Sequence, residues 1–160
     1  MSIHKILLIK TISGSRLYGL DHAGSDYDYT EVYGWNKFRG TQKIHAEIDM
    51  TKFSIDRFLM LCHKGVPQAL ETMFSQKKEI SLIPAITDNY YCSTGNCVDV
   101  YTRTIRNFLE GGTEKLTRHS IRLAINLREI IETGRFNPTL NEEQKERVLA
   151  LDMSLLPMLD

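Results

Sequence analysis

Ile12-Ser13-Gly14-Ser15-Arg16-Leu17-Tyr18-Gly19, followed by Ser25-Asp26-Tyr27-Asp28-Tyr29, is the stretch on which the reading of this 160-residue chain turns. Upstream of it, Ile3 to Ile12 is rich in Ile and Leu with little polar alternation, the pattern of a strand buried on both faces. That strand delivers the chain to a Gly14-Ser15 turn. Glycine there tolerates a positive φ and lets a ligand approach the backbone, while Ser15 offers a hydroxyl and a helix N-cap. Arg16 to Leu20 is expected to form one short helical turn before the Asp21-His22-Ala23-Gly24 loop. Asp28 to Tyr33 has the β-branched and aromatic content of a second strand. Because side chains alternate along a strand, Asp26 and Asp28 are expected on one side and Tyr27 and Tyr29 on the other.

After a polar loop at Asn36, Lys37, Gly40 and Thr41, the run Ile44 to Met50 alternates cleanly. Ile44, Ala46, Ile48 and Met50 would line one face of a half-buried strand and His45, Glu47 and Asp49 the other. Ser54 is placed to cap a helix whose stripe is Ile55, Phe58, Leu59 and Cys62, with Gly65 as its end. Pro67 opens a second helix carrying Ala69, Leu70, Met73 and Phe74, with Glu71 near its inner side. Thr87 to Asn96 reads as a loop and Val98 to Leu109 as a helix stopped by Gly111-Gly112. The clearest helix runs from Thr113 to about Thr133, with Leu116, Leu123, Leu127, Ile130 and Ile131 inward and Gly134 as its stop. Lys115, His119, Arg122 and Asn126 share another face of it. Asn141-Glu142-Glu143-Gln144 resembles a capping box for a last helix to about Leu151, and the tail from Asp152 is expected to be loose.

Composition narrows the class. Hydrophobic residues are 42% and charged residues 25% of the chain, ordinary globular values. The longest apolar run, Ile6 to Ile9, is too short to cross a bilayer, and no signal-peptide pattern follows His4 and Lys5, so a cytoplasmic protein without a membrane partner is expected. Cys62, Cys92 and Cys97 form no regular zinc frame and read as free thiols. The expected organisation is a catalytic core over 1–97, a helical C-terminal part over 98–151 packed on it, and a tail over 152–160. Net charge is zero, but its distribution is uneven. Asp21, Asp26, Asp28, Glu31, Glu47 and Asp49 outnumber Lys37, Arg39 and Lys43. Arg103, Arg106, Lys115, Arg118, Arg122 and Arg128 outnumber Glu110 and Glu114. An acidic half facing a basic half suits metal-bound phosphates, although solvated faces account for it too.

Two aspartates one residue apart on a strand can hold a hard cation such as Mg²⁺, which wants oxygen ligands and keeps water for substrate phosphates. A third acid on a neighbouring strand would complete a two-metal site. Asp49 is the candidate, with Glu47 the alternative on its face. A calcium-binding EF-hand is excluded: counting from Asp26, that loop needs Gly sixth and an acid twelfth, where Glu31 and Lys37 stand.

In sum, Gly14-Ser15-Arg16-Leu17-Tyr18-Gly19, then Ser25-Asp26-Tyr27-Asp28, then an acid-faced strand, resembles the pattern of the DNA polymerase β-like nucleotidyltransferase superfamily. Within it the chain looks most like the predicted nucleotidyltransferases of the RNA-repair-associated, YcgL-like group. Asp49, Arg57-Phe58 and Gly65-Val66-Pro67-Gln68-Ala69-Leu70-Glu71 match that group's next segments, with Val66 where its members usually have Asn. Lys115, His119, Arg122-Leu123 and Thr133-Gly134 match its helical motif, and Thr30 stands where many members have Arg. The resemblance covers roughly Ile6 to Gly134.

It implies an α+β fold: a small mixed sheet, like the palm of polymerase β, packed against helices, with a C-terminal helical part. It implies a nucleotidyltransferase that moves a nucleoside monophosphate from a nucleoside triphosphate, ATP among them, to a hydroxyl acceptor with release of pyrophosphate. Asp26, Asp28 and Asp49 would be the catalytic and metal-binding residues, for a pair of Mg²⁺ ions or Mn²⁺ in their place. Gly14 and Ser15 would hold the phosphates. Ser25, Arg16 and the Lys115, His119, Arg122 face complete the candidate nucleotide set. That helix face has a second reading, as a solvated face or as a buried His paired with Glu71 or another acid. Tyr18, Tyr27 and Tyr29 read as packing residues and Glu71 as a structural partner for a basic side chain. The acceptor is left open among an RNA end, a protein and a small molecule. The rivals are a non-catalytic nucleotide-sensing or partner-binding module on the same fold, for example an antitoxin-like component, and an RNA-binding domain using the face from Arg103 to Arg128.

Overall fold

In the computed structural model, residues 6–34, 40–45 and 48–156 are described. Among them five strands form one mixed sheet: β1 (Leu7–Ser13), β2 (Tyr27–Tyr33), β3 (Thr41–Ile44), β4 (Ile48–Ser54) and β5 (Lys78–Ser81), in spatial order β3-β4-β2-β1-β5. β2 and β4 run parallel, and the other neighbours pair antiparallel. Helices α1 (Ser15–Tyr18), α2 (Ile55–Lys64), α3 (Pro67–Phe74), α4 (Pro84–Thr87), α5 (Thr94–Gly111), α6 (Glu114–Thr133) and α7 (Glu142–Leu149) complete the fold. The α+β architecture expected from the sequence is the one observed. No helix among the described residues is long and apolar enough to cross a membrane.

Strand register explains where the site lies. Ile9, Val32 and Phe53 stand side by side across β1, β2 and β4; the next rank is Thr11, Thr30 and Thr51; the last is Ser13, Asp28 and Asp49. Since residues two apart share a face, these nine side chains form one surface that grades from apolar to hydroxyl to acid. The apolar rank is buried in a core that also takes in Phe58, Leu70, Met73, Tyr101, Ile105, Leu123, Leu127 and Ile130. Each such side chain removed from water contributes about 1.5–3 kcal/mol. Thr30 is fully buried in the middle rank. The acid rank emerges at the open end of the sheet.

Several local readings are corrected. The single strand expected from Ile44 to Met50 is two: β3 ends at Ile44 and β4 begins at Ile48, with Ala46 and Glu47 outside the described residues. Ile44 and Ile48, expected inward, are 44% and 48% exposed, because the buried end of β4 lies further on, at Phe53 and Ser54. Ile131, also expected inward, is 56% exposed, so the buried stripe of α6 turns away from it. α5 begins at Thr94, not Val98, which shortens the expected loop. Past α7 the chain makes a further helical turn at Met153–Leu155, capped by Asp152, instead of a loose tail there. Ser54 does occupy the N-cap of α2, but its hydroxyl accepts from the Gly40 amide at 2.9 Å and so ties the start of β3 to β4. The capping box at Asn141 is formed, with both reciprocal bonds to Gln144 at 2.8 and 2.9 Å. All three cysteines are free.

Candidate active site

Gly14, not Ser15, caps α1; its φ of 68° and ψ of −153° are reached easily only by glycine. A Cβ at Gly14 would overlap Asp28 Oδ2, so the missing side chain is what lets the Asp28 carboxylate lie against the turn. The Gly14 carbonyl accepts from Leu17 and Tyr18 at 2.9 and 3.1 Å, and Ser15 becomes the first helical residue. Gly14, Tyr18 and Asp28 form the wall shared by two lobes of one cleft. The first lobe, about 340 Å³, is bordered by Asp49, Thr51, Gln68, Phe108, Lys43 and His45. The second, about 410 Å³, is bordered by Ser15, Ser25, Asp26, Lys115, Arg118 and His119.

Asp28 and Asp49 are register partners on the parallel strands β2 and β4, and both are half-buried. Burial, then the charges of Asp49 and Asp26, push the Asp28 carboxyl above its usual value, while Lys115 opposes them. Two carboxylates this close disfavour joint ionisation unless a cation joins them. Asp26 was expected on the same strand face as Asp28, but β2 starts at Tyr27, so Asp26 is an exposed rim residue one step beyond the strand. Among the described residues no three acid, His or Cys side chains gather tightly enough to hold one ion. The pair nonetheless fits Mg²⁺. Its donors are all oxygen, both open on the cleft, and Mg²⁺ characteristically takes one or two carboxylates and fills the remaining positions with water and phosphate.

The cationic residues divide. Lys115, Arg118 and His119, from one stretch of α6, border the second lobe opposite Asp26 and Asp28. Burial, then Arg122, Lys115 and Arg118, hold His119 down at about 4, so it is neutral at physiological pH, and its ring centroid lies 6.0 Å from that of Phe108. Arg122, expected among the phosphate contacts, is buried and donates from Nη1 to Glu71 Oε2 at 3.0 Å. Arg16, expected there too, donates to the carbonyls of Ser25 at 2.9 Å and Asp26 at 3.3 Å and pairs with Asp21 at 3.4 Å. With its guanidinium 3.7 Å from the Tyr27 ring centroid, it clamps the loop that carries Asp26. Ser25 Oγ accepts from the His22 amide at 2.8 Å within the same loop.

Lys43, His45, Thr51, Gln68, Phe108 and Arg118 also border the cleft and were not among the expected site residues. His45 Nδ1 lies 3.3 Å from Asp49 Oδ1 at the mouth of the first lobe. It was expected on the same face as Asp49, four residues on, and that shared face was the signal for it. Arg118 is three residues after Lys115, a spacing that shares a helix face. Gln68 donates to Thr51 Oγ1 at 3.2 Å and joins α3 to the hydroxyl rank; it lies in the Gly65–Glu71 segment that carries the resemblance, with no role assigned to it there.

A mixed sheet that brings a glycine turn against an acid pair, opposite a cationic helix, is the plan of the polymerase β-like class. The chain belongs to the RNA repair pathway DNA polymerase beta family, RlaP, whose model matches residues 2–159. No curated protein matches the sequence.

Proposed function

We propose that this protein is a metal-dependent nucleotidyltransferase that moves a nucleoside monophosphate from a nucleoside triphosphate to a hydroxyl and releases pyrophosphate. The observation that carries the reading is the Ser13–Asp28–Asp49 rank beside the Gly14 turn, with Lys115 and Arg118 across the cleft. In this reading Asp28 and Asp49 would hold Mg²⁺, for which Mn²⁺ can substitute, while Asp26 adds negative charge from the rim. The metal supplies charge neutralisation and orientation of the phosphate oxygens. Gly14 and Ser15 seat the triphosphate, Lys115 and Arg118 offset its charge, and neutral His119 offers a hydrogen bond. The acceptor oxygen attacks the α-phosphorus as the bond to the β-bridging oxygen breaks, and Asp49 takes the acceptor proton. Such chemistry is mostly positioning and electrostatics, which preset groups supply.

The family's description favours an RNA end as acceptor. The first lobe suits it, with Phe108 as an aromatic platform and Lys43 as a cation. The test is release of pyrophosphate from each ribonucleoside triphosphate with Mg²⁺, and transfer of α-phosphate label to RNA. Asp28→Asn is expected to abolish both. A second reading, nucleotide binding without turnover, is favoured by Asp26 standing apart from the other two acids. A triphosphate-dependent thermal shift with no pyrophosphate release would select it.

A further inference from the structure

Tyr18, Glu71 and Arg122 come from α1, α3 and α6, and their exposures are 7%, 5% and 4%. Tyr18 Oη donates to Glu71 Oε1 at 2.6 Å, Arg122 Nη1 donates to Glu71 Oε2 at 3.0 Å, and the Arg122 guanidinium lies 3.7 Å from the Tyr18 ring centroid. The triangle is closed, each carboxylate oxygen taking one partner. A buried ion pair is a weak source of net stability, because desolvation offsets its attraction. What it supplies here is geometry. Tyr18 ends the helical turn whose first carbonyl is that of Gly14, and its own amide donates to that carbonyl at 3.1 Å. Arg122 follows His119 by three residues on a continuous 20-residue helix. Glu71 follows by three the Gln68 that grips Thr51, on the strand that carries Asp49.

We infer that Tyr18, Glu71 and Arg122 form a strut that sets the Gly14–Ser15 turn against the Lys115–His119 face, acting as positioning residues for the nucleotide. The inference rests on the proposed function for what lies between those two walls. The strut's loss need not unfold α1, since its backbone is also held by Thr139 Oγ1 on the Leu17 carbonyl at 2.7 Å and by the Leu140 amide on the Tyr18 carbonyl at 3.0 Å. Tyr18→Phe therefore removes one bond and keeps the ring.

The experiment measures affinity for Mg²⁺ with the ribonucleoside triphosphate that most stabilises the wild type, together with hydrogen exchange at the Leu17 to Leu20 amides. Tyr18→Phe is expected to weaken binding about tenfold, equivalent to about 1.4 kcal/mol, and to speed exchange at those amides. In a Glu71→Ala background it should add nothing, because the hydroxyl has then lost its acceptor. Should Glu71→Ala fail to fold, Glu71→Gln keeps the volume and a neutral acceptor, and should reduce the Tyr18→Phe effect to about threefold. Equal effects of Tyr18→Phe with and without Glu71, or a lowered melting temperature with affinity and exchange unchanged, would overturn the strut. If the wild type binds no triphosphate, the functional reading falls, and the exchange cycle between Tyr18 and Glu71 decides the strut by itself.

Discussion

Asp28 carries a raised pKa, with burial its largest cause and the charge of Asp49 the next. A carboxyl raised on folding contributes stability that is present below its usual value of 3.8 and is lost as pH rises through the folded value. At pH 7 in chelator, Asp28→Asn is therefore expected to melt above the wild type, the two converging in strong acid, while losing the Mg²⁺-triphosphate shift. An Asn variant that melts below the wild type in chelator would show that the pair is not strained. His119 has the opposite sign. Held at about 4 against 6.5, it binds its proton late, so stability is full above pH 6.5 and falls as pH drops toward 4. His119→Gln is expected to flatten that acid-side loss in a pH series of urea melts. At this scale Gly14, Asp28 and Asp49 were legible, because strand period and a glycine turn fix direction locally. Arg122 and Arg16 were not. Helical spacing aligns Arg122 with His119 but says nothing of α3, which supplies Glu71 and draws it inward.

Elements were legible where caps marked them. Gly65, Gly134 and the Asn141 box ended or began helices as read. The β3–β4 break was not, because an alternating run looks the same whether one strand continues or two meet. The exposed end of β4 also carries Ile48, which the period assigns to a core that is not there. Gly65 shows how one element constrains another. Its φ is 82°, and a Cβ would stand 2.9 Å from the backbone of Asn96 and Cys97 in the first turn of α5. Gly65→Ala is thus expected to cost at least about 1–3 kcal/mol in backbone strain alone, and to loosen α2 against α5. A urea-denaturation midpoint within error of the wild type would contradict it.

For the whole molecule, the site is a meeting of distant segments: the turn after β1, the starts of β2 and β4, and the first half of α6. Family resemblance reached this assembly, whereas residue patterns alone reached its parts; the two-lobed cleft depends on how α6 lies over the sheet, which no local pattern encodes. Mg²⁺ with a bound triphosphate is expected to slow amide exchange in 13–18, 49–51 and 115–119 together. Protection confined to one of these segments would count against a shared site.

The Asp28–Asp49 separation is inherited from strand spacing, roughly 4.8 Å between neighbours, and no loop sets it. The chain between β2 and β4, which includes β3, therefore does not fix that separation, and its length is constrained less tightly than that of the two strands. A single residue gained or lost inside β4 is a different event: it would rotate Asp49 to the opposite face and put Met50 or Ile48 beside Asp28. In a lineage of such proteins, insertions are expected to accumulate between these strands and to be purged within them.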